Sequence, residues 1–261
     1  MFSKEEFKRL FRSGSFRFVC DGRSSAAGRP VSQYVWRRVP IYYRPGTSDP
    51  ALIYSVLLKR GRKSEYWVPK SLDPTVVLDI GANIGISSIY FSNRFPRAKI
   101  YAFEPVPENV ALLSRNLAYY RGAHISPVAL GRTNGTIEML SSDNPHNFGG
   151  FSFYDRGSDP SRKIAVKMRQ VNTALRELGI YQVDLIKIDT EGAEYDILTA
   201  FDENLLRSVK WIMGELHGER DFELLAFLSQ WFDIETKKSL KNRLFMFRAC
   251  NKLLTQGIDL R

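Results

Sequence analysis

Two carboxylates in the first half of the chain have a spacing that suits a ligand containing a ribose. Asp79 lies near the end of the apolar run Val76–Ile80, which leads into a turn that contains Gly81 and Gly85. Glu104 follows the next apolar run, 19 residues beyond Gly85. In doubly wound nucleotide sites a carboxylate at about this distance accepts hydrogen bonds from ribose hydroxyls. The alternative is that both acids are ordinary surface charges.

The glycine turn departs from the dinucleotide fingerprint. A pyrophosphate site favours G-x-G-x-x-G, whereas this chain has Asn83 and Ile86 at the second and third glycine positions. An acid beside glycines suits a ligand that carries both an ammonium and a carboxylate. We therefore expect S-adenosylmethionine, with Asp79 holding its methionine end, directly or through water, and Glu104 holding its ribose.

A third acidic cluster follows another apolar run, over residues 183–188. Asp189, Glu191 and Glu194 come within six residues of one another, at the strand edge where open α/β sheets bind ligands. Asp189 is the first candidate to position or deprotonate a nucleophile, and Glu191 is a second functional candidate. Glu194 is expected to cap the following helix, because carboxylates stabilise helix amino termini.

Histidines and a metal ion are the other options for this chemistry. His217 follows Glu215 at the end of a predicted strand, so it is an alternative general base at the same edge, and His146 is a further one. A packed or surface histidine is the plainer interpretation of either. Asp189, Glu215 and His217 have oxygen and imidazole ligands that suit Mg²⁺ or Mn²⁺, but their spacing does not establish a metal site.

Taken together, these motifs resemble one family. The runs VVLDIGANIG, YAFEPVPEN and LIKIDTEGAEYDIL, with VALG between them, resemble FkbM-type methyltransferases over about residues 75–216. The resemblance implies a class I methyltransferase fold, S-adenosylmethionine as cofactor, and O-methylation of a hydroxyl on a sugar, glycoconjugate or secondary metabolite. It assigns Asp189, Glu191 and Gly192 to the reaction edge. The expected cofactor-binding residues are Asp79, Gly81, Asn83, Gly85, Glu104, Pro105, Ala129 and Asp189, and the catalytic candidates are Asp189, Glu191 and His217.

The elements that must position these residues alternate between strand and helix patterns from about residue 73. This alternation predicts an α/β, Rossmann-like, doubly wound and mostly parallel sheet over 73–261, ending in an antiparallel edge hairpin over 232–237 and 243–249. A polar, glycine-rich excursion over 141–161 is expected to form a lid, because connections of this length are often functional. Residues 1–72 are expected to form an accessory segment of helices and loops.

The accessory segment carries the whole charge excess of the protein. The chain has 38 Lys and Arg and 28 Asp and Glu, and residues 1–70 hold 15 of the former and 5 of the latter, which leaves 23 of each for the remainder. A basic segment indicates an anionic acceptor, an anionic membrane surface or nucleic acid, against the alternative of a solvated surface. Phe2, Phe7, Leu10 and Phe11 form a helical stripe that either lies on a membrane or, as we favour, packs on the core.

Other classes of function fit the sequence less well. A nucleic-acid methyltransferase is disfavoured, because the acidic run after residue 188 would repel phosphates and lacks an aromatic platform for a flipped base. A non-catalytic cofactor-binding scaffold would not need Asp189. Cys20 and Cys250 match no zinc or redox spacing, and no signal peptide or long apolar run is seen, so we expect a cytoplasmic protein. The sequence does not indicate an oligomeric state.

Overall fold

A computed structural model describes residues 2–26, 28–140, 163–217, 220–238 and 245–253 of the 261-residue chain. The lid predicted over 141–161, with His146, lies outside these residues. The strands are β1 (Ser32–Trp36), β2 (Val39–Tyr43), β3 (Val76–Ile80), β4 (Lys99–Phe103), β5 (Ala123–Ser126), β6 (Ala129–Gly131), β7 (Gly135–Leu140), β8 (Lys163–Gln170), β9 (Leu185–Ile188), β10 (Trp211–Leu216), β11 (Phe232–Lys238) and β12 (Phe245–Asn251).

The helices flank these strands and alternate with them along the second half of the chain. They are α1 (Lys4–Ser13), α2 (Phe16–Asp21), α3 (Asp49–Ile53), α4 (Ile86–Arg94), α5 (Pro107–Leu117), α6 (Val171–Glu177), α7 (Glu194–Leu198), α8 (Glu203–Ser208) and α9 (Asp221–Leu228). A π-helical turn, Tyr54–Leu58, continues α3. Short 3₁₀ turns lie at Ser24–Ala26 and Gly61–Lys63.

A seven-stranded sheet in the order β11-β12-β10-β9-β3-β4-β5 forms the centre of the protein. The strands from β10 to β5 in this order run parallel, whereas β12 is antiparallel to both β10 and β11. The predicted Rossmann-like fold and its antiparallel edge hairpin are therefore confirmed. Strand β3 pairs with β4 on one side and β9 on the other, so the strand order reverses at this point and opens a crevice at the carboxyl edge.

Buried apolar runs explain why the central strands form as they do. All four residues of β9 are buried, as are four of the five residues of β3. Parallel strands are covered by helices on both faces, so they favour continuous apolar runs rather than alternation. Two hydrophobic clusters, one on each face of the sheet, provide this cover.

A second, three-stranded sheet in the order β6-β8-β7 lies beside the main one. Strand β8 pairs antiparallel with β7 and parallel with β6. The sequence pattern over residues 124–130 predicts a single strand, whereas the structure has β5 in the main sheet and β6 in this second sheet. Strand patterns do not specify pairing partners, so the second sheet was not predicted.

The residues before β3 share a hydrophobic core with the sheet domain. Phe18, Ile41 and Tyr43 belong to the same buried cluster as Ile89 of α4 and Leu113 of α5. The side chain of Asn116 on α5 also accepts a hydrogen bond from the amide of Tyr42 at 2.7 Å and donates one to its carbonyl at 3.0 Å. The accessory segment is thus packed on the α4–α5 face of the sheet.

Helix α1 does not pack on the core through Phe7 and Phe11, which was the arrangement favoured from the sequence. None of its residues is fully buried, and Phe7 and Phe11 are 57% and 92% exposed. Its contacts instead involve Arg12, which donates a hydrogen bond to the carbonyl of Leu58 at 3.1 Å, and Arg9, which lies over the Tyr54 ring. The favoured packing of the aromatic stripe on the core is therefore wrong for Phe7 and Phe11. In the part of the chain described here, no helix has the length and apolar character needed to span a bilayer.

Candidate active site

A cavity of about 440 Å³ opens at the carboxyl edge of the central sheet. One side is lined by the residues that follow β3 and β4, including Gly81, Asn83 and Glu104. The other side is lined by Asp189 and by Tyr66 from the segment before β3. We call these the cofactor half and the acceptor half. The cavity lies at the reversal of strand order, where this fold binds ligands.

The loop after β3 allows the backbone to approach a ligand closely. Gly81 has a φ of +74°, and a Cβ atom there would lie 1.9 Å from the carbonyl oxygen of Asp189, so only glycine fits. Asn83 also has a positive φ, of 49°, and asparagine is one of the few non-glycine residues that readily adopts this conformation. Both residues line the cavity, as predicted for a cofactor loop.

Glu104 organises the cofactor half. Its side chain accepts hydrogen bonds from the amide of Val106 at 3.0 Å, from Asn109 Nδ2 at 3.1 Å and from the amide of Asn83 at 2.8 Å. Burial raises the pKa of Glu104 although these hydrogen bonds oppose the shift. A carboxylate has about four acceptor sites, so it retains capacity for a ribose hydroxyl. Pro105 and Ala129 line the cavity beside it.

Asp79 lies behind the cavity wall. It is fully buried and accepts hydrogen bonds from the hydroxyls of Ser87 and Ser88, each at 2.6 Å. Its Oδ1 atom lies 3.2 Å from Nζ of Lys187. A fully buried carboxylate is stable only when its charge is paired nearby, and Ser87, Ser88 and Lys187 provide that pairing. Because Asp79 lies behind the cavity wall, the expected direct contact with the methionine end of a cofactor is corrected. Contact through water stays a prediction.

Gly85 likewise has a packing role. It lies at the start of α4 with a φ of +88°, and a Cβ atom there would lie 2.6 Å from Cδ1 of Leu113 on α5. The glycine is therefore needed for the close approach of the loop to α5. The expected contact of Gly85 with the cofactor stays a prediction.

Asp189 is the central carboxylate of the acceptor half. Its Oδ2 atom accepts a hydrogen bond from the hydroxyl of Tyr66 at 3.0 Å. Burial and the neighbouring charge of Glu215 raise the pKa of Asp189 above its ordinary value, although Lys187 opposes the shift. A carboxylate with a raised pKa is a stronger base, which suits the predicted role of Asp189 in deprotonating a hydroxyl.

His217 lies among four carboxylates. Its Nε2 atom is 3.0 Å from Oε2 of Glu215 and 3.9 Å from a carboxylate oxygen of both Asp189 and Glu191, and its Nδ1 atom is 3.3 Å from Oε1 of Glu194. Burial opposes the charged form, but Glu194 and Glu215 outweigh it and raise the pKa of His217 to about 11. A protonated imidazole cannot accept a proton, so Asp189 is the better candidate base.

The loop after β9 brings the remaining acids to this point. Glu191 has a φ of 56°, which is rare for a non-glycine residue, and Gly192 follows with a φ of 118°. Burial and the charge of Asp189 raise the pKa of Glu191 to about 7. Glu194 lies in the first turn of α7 and accepts hydrogen bonds from the amides of Thr190 and Gly192, which precede the helix. It therefore holds the loop after β9, and the prediction that its side chain caps the following helix is wrong, because α7 has no side-chain capping hydrogen bond. Ligand atoms of Asp189, Glu191 and His217 all lie within 4.8 Å of one another, a grouping that could hold a metal ion.

Several residues of the site were not predicted. Lys187 is buried in β9, donates a hydrogen bond to the carbonyl of Gly81 at 2.6 Å and lines the cavity. Burial disfavours its charge, but Asp79 and Asp189 raise the pKa of Lys187. The sequence did contain one indication of a special role, because Lys187 is the single charged residue inside the apolar strand β9.

The segment before β3 provides other residues that sequence patterns did not indicate. Tyr66 is buried against Asp189, and Glu65 beside it lines the cavity. Arg44 pairs with Asp49 at 2.8 Å and donates a hydrogen bond to Asn109 at 2.9 Å, so it connects this segment to the cofactor half. Nothing in the local sequence of these residues places them beside a cavity whose other residues come from widely separated parts of the chain, from Gly81 to Glu215.

The chain is similar to several known proteins. A solved structure, the cofactor-bound Rv0187 from MTB, aligns with a TM-score of 0.44 at 12% identity, over 69% of this chain and 73% of that chain. Methyltransferase sdnD of Sordaria araneosa is 30% identical over 168 residues, which are 53% of this chain and 65% of the relative. The 2-O-methyltransferase NoeI of Sinorhizobium fredii is 27% identical over 163 residues, which are 58% of this chain and 66% of the relative.

The chain thus spans just under two thirds of the length of these two relatives. The broader match is to a protein family described as the methyltransferase FkbM domain, and it extends over residues 79–245. This range contains both the glycine turn after β3 and the acidic loop after β9, and it covers well over half of the sequence. The chain belongs to the FkbM methyltransferase domain family.

Proposed function

We propose that this protein transfers a methyl group from S-adenosylmethionine to a hydroxyl of a sugar, glycoconjugate or secondary metabolite. The single observation that carries the proposal is a cavity with a ribose-type carboxylate, Glu104, in one half and a carboxylate with a raised pKa, Asp189, in the other. Membership of a methyltransferase family supports the reaction class. The name of the relative NoeI, a 2-O-methyltransferase, supports a hydroxyl acceptor.

The cofactor half has the features that an S-adenosyl nucleoside requires. Glu104 has acceptor capacity for ribose hydroxyls, and the Gly81 turn leaves the backbone open to close approach. Val106 and Val128 provide apolar lining next to Glu104. When bound, the cofactor supplies a methyl group on a positively charged sulfur, and the carboxylates of this cavity attract that charge.

The acceptor half would position and deprotonate the hydroxyl. Asp189 accepts the proton, while the hydrogen bond from Tyr66 fixes the orientation of its carboxylate. General-base assistance of this kind contributes ~10² to 10⁴-fold to a rate. Alignment of the acceptor oxygen contributes further, because methyl transfer is an in-line displacement. Tyr66 and Tyr54 also exclude water from this side of the cavity.

The test is a binding and transfer experiment on the full chain. Calorimetry is expected to show one S-adenosylmethionine per chain, and a donor with a labelled methyl group is expected to label hydroxyl-bearing acceptors from a panel of sugars, glycoconjugates and polyketides. Acceptors whose hydroxyl has been replaced by hydrogen serve as matched controls and should remain unlabelled. Absence of cofactor binding would contradict the proposal, as would labelling that persists in the controls.

A nucleic-acid acceptor remains the less favoured alternative. The acceptor half contains the carboxylates of Glu65, Asp189, Glu191 and Glu215, which repel phosphates, and binding to nucleic acid is dominated by phosphate contacts. A salt-sensitive electrophoretic shift with RNA would favour this alternative.

A further inference from the structure

The group around His217 has the composition of a cation site rather than of a simple acidic cluster. Three elements supply it, because Asp189 and Glu191 follow β9, Glu215 belongs to β10 and His217 follows β10. Carboxylate oxygens together with an imidazole nitrogen are ligands that suit Mg²⁺ and Mn²⁺. The cavity beside Asp189 would leave room for further ligands from a bound molecule.

The distances are close to those of a coordination sphere. Neighbouring ligands of an octahedral ion with bonds of ~2.1 Å lie about 3 Å apart. Nε2 of His217 lies 3.0 Å from Glu215 and 3.9 Å from Asp189 and Glu191. Small side-chain rotations would therefore bring the ligand atoms to bonding distance of one ion.

Glu194 provides an independent indication. It is fully buried, and its Oε1 atom lies 3.3 Å from Nδ1 of His217. The same oxygen is held by the amides of Thr190 and Gly192. A carboxylate that accepts a hydrogen bond from Nδ1–H fixes the ring so that Nε2 faces the other acids. Histidines that bind metals almost always have such a partner on their second nitrogen.

The group is also rich in negative charge. Glu65, Asp189, Glu191, Glu194 and Glu215 bring five carboxylates to this edge, and they interact with one another electrostatically. Among the described residues, the cations that interact with this group include His217, Lys187 and Lys59, and Lys187 is also paired with Asp79 at 3.2 Å. Crowded carboxylates in a partly buried site favour the binding of a cation.

We propose that Asp189, Glu191 and His217 bind one divalent cation of the Mg²⁺ or Mn²⁺ type at the reaction edge of the cavity. Glu194 orients His217 for this purpose. The binding of the ion is independent of the proposed function. Its role rests on that function, because the coordination positions that face the cavity are suited to oxygen atoms of the methyl acceptor. With an ion bound, Asp189 would act as a ligand, and the ion would lower the pKa of the coordinated hydroxyl in place of a carboxylate base.

The experiment measures Mn²⁺ binding to the full chain after treatment with a chelator. Titration calorimetry and the decrease of the free Mn²⁺ electron paramagnetic resonance signal should both give one ion per chain, and Mg²⁺ should compete. His217→Gln and Glu191→Gln are each expected to weaken Mn²⁺ binding by at least ~10-fold, and Glu194→Gln by ~10 to 100-fold. Thermal melts with Mn²⁺ should show stabilisation of the native chain that these variants lose.

Glu65→Gln is the matched control, because it removes a nearby carboxylate that is not one of the proposed ligands. It should change Mn²⁺ affinity by less than about threefold, since only screened electrostatic attraction is lost. Glu191 has a partly exposed side chain, so Glu191→Gln tests coordination if His217→Gln fails to fold. Circular dichroism identifies that case.

Two results would overturn the metal site. One is the absence of stoichiometric Mn²⁺ binding to the native chain. The other is equal weakening by Glu65→Gln and Glu191→Gln, which would mean diffuse attraction and a protonated His217 instead of an ion. Stoichiometric Mn²⁺ binding without methyl transfer to any acceptor would support the site and contradict the proposed function, so the two failures are distinguishable.

Discussion

The two halves of the cavity are built in different ways. The cofactor half comes from two short loops, after β3 and after β4, and its key side chain, Glu104, has amide donors on both carboxylate oxygens. The acceptor half combines the ends of β9 and β10 with Tyr54 and Tyr66, which precede the sheet domain. Donor binding is therefore a local property of the sequence, whereas acceptor binding depends on long-range packing.

The two halves also differ in electrostatics. In the cofactor half, burial raises the pKa of Glu104, and hydrogen bonds oppose this shift. In the acceptor half, burial and mutual repulsion raise the pKa values of Glu65 and Glu191 to about 7. Such crowding is typical of functional sites and costs stability.

The largest expected effect is on kcat, and it tests whether the two halves of the cavity act separately. Asp189→Asn keeps the size of the side chain but removes the proposed base, so kcat should fall by ~10² to 10⁴-fold. The affinity for S-adenosylmethionine, measured by calorimetry, should change by less than about threefold, because Asn retains the size of the side chain and an acceptor oxygen. A parallel loss of cofactor affinity would show that the halves do not act separately.

Glu104→Ala should have the opposite pattern. Loss of charged hydrogen bonds worth ~1.5 to 3 kcal/mol corresponds to a decrease of about 10 to 150-fold in S-adenosylmethionine affinity. Calorimetry measures the loss, and kcat at saturating cofactor should change less. Glu108→Ala, an exposed acid in the first turn of α5, is the matched control. Unchanged affinity in Glu104→Ala would remove the ribose assignment.

The two halves of the cavity also differ in how well their residues could be predicted from the sequence. Strand β3 was predicted with its observed bounds because a buried parallel strand has a distinct apolar run. Glu104 and Asp189 were placed at the cavity because both follow such strands. Tyr66 was not predicted, since its burial depends on contacts with Asp189, which lies 123 residues further along the chain.

Asp79 shows a second limit of sequence reasoning. Its position at the end of β3 was predicted, but successive side chains of a strand point to opposite faces. A motif specifies where a residue lies along the strand and not which neighbours it meets. In this fold Ser87, Ser88 and Lys187 enclose the carboxylate, so a residue expected to hold the ligand instead stabilises the turn that forms the site.

Stability as a function of pH tests the crowding of the acceptor half. Burial and the charge of Glu215 raise the folded-state pKa of Glu65 from 4.5 to about 7. The folded chain binds this proton more tightly than the unfolded chain, so the contribution to stability is full below pH 4.5 and is lost as the pH rises to 7. Glu65→Gln should therefore raise the free energy of unfolding by about 3 kcal/mol at pH 8 and by little at pH 4. Urea denaturation at pH 4 and at pH 8 measures the change in the free energy of unfolding. Equal changes at the two pH values would contradict the raised pKa of Glu65.

Tyr66→Phe tests whether the segment before β3 contributes to the reaction. Removing the hydroxyl leaves Asp189 without this hydrogen bond, so kcat should fall by about tenfold at pH 7. The acid limb of the pH–rate profile should move to higher pH, because the lost donor stabilised the charged carboxylate. Cofactor affinity should not change. A lower kcat with an unshifted profile would indicate a merely structural role.

The smallest expected effect concerns the outer surface of the same segment. The structure leaves Phe7 and Phe11 exposed on basic helix α1, so peripheral contact with an anionic membrane stays a prediction. Phe11→Ser should lower co-sedimentation with phosphatidylserine vesicles by about threefold and leave methyl transfer to a soluble acceptor unchanged. Vesicles of phosphatidylcholine are the control. Equal binding to both vesicle types would remove the electrostatic part of this prediction.

The position of the π-helical turn Tyr54–Leu58 and of Tyr66 has a consequence for how new specificities arise. Both precede residue 79, where the match to the family begins, and Tyr54 and Tyr66 line the acceptor half of the cavity. Under the proposed function, substitutions there would change the acceptor while the loops of the cofactor half stay unaltered. A chimera that exchanges residues 2–72 between two members of the family would then give a changed product.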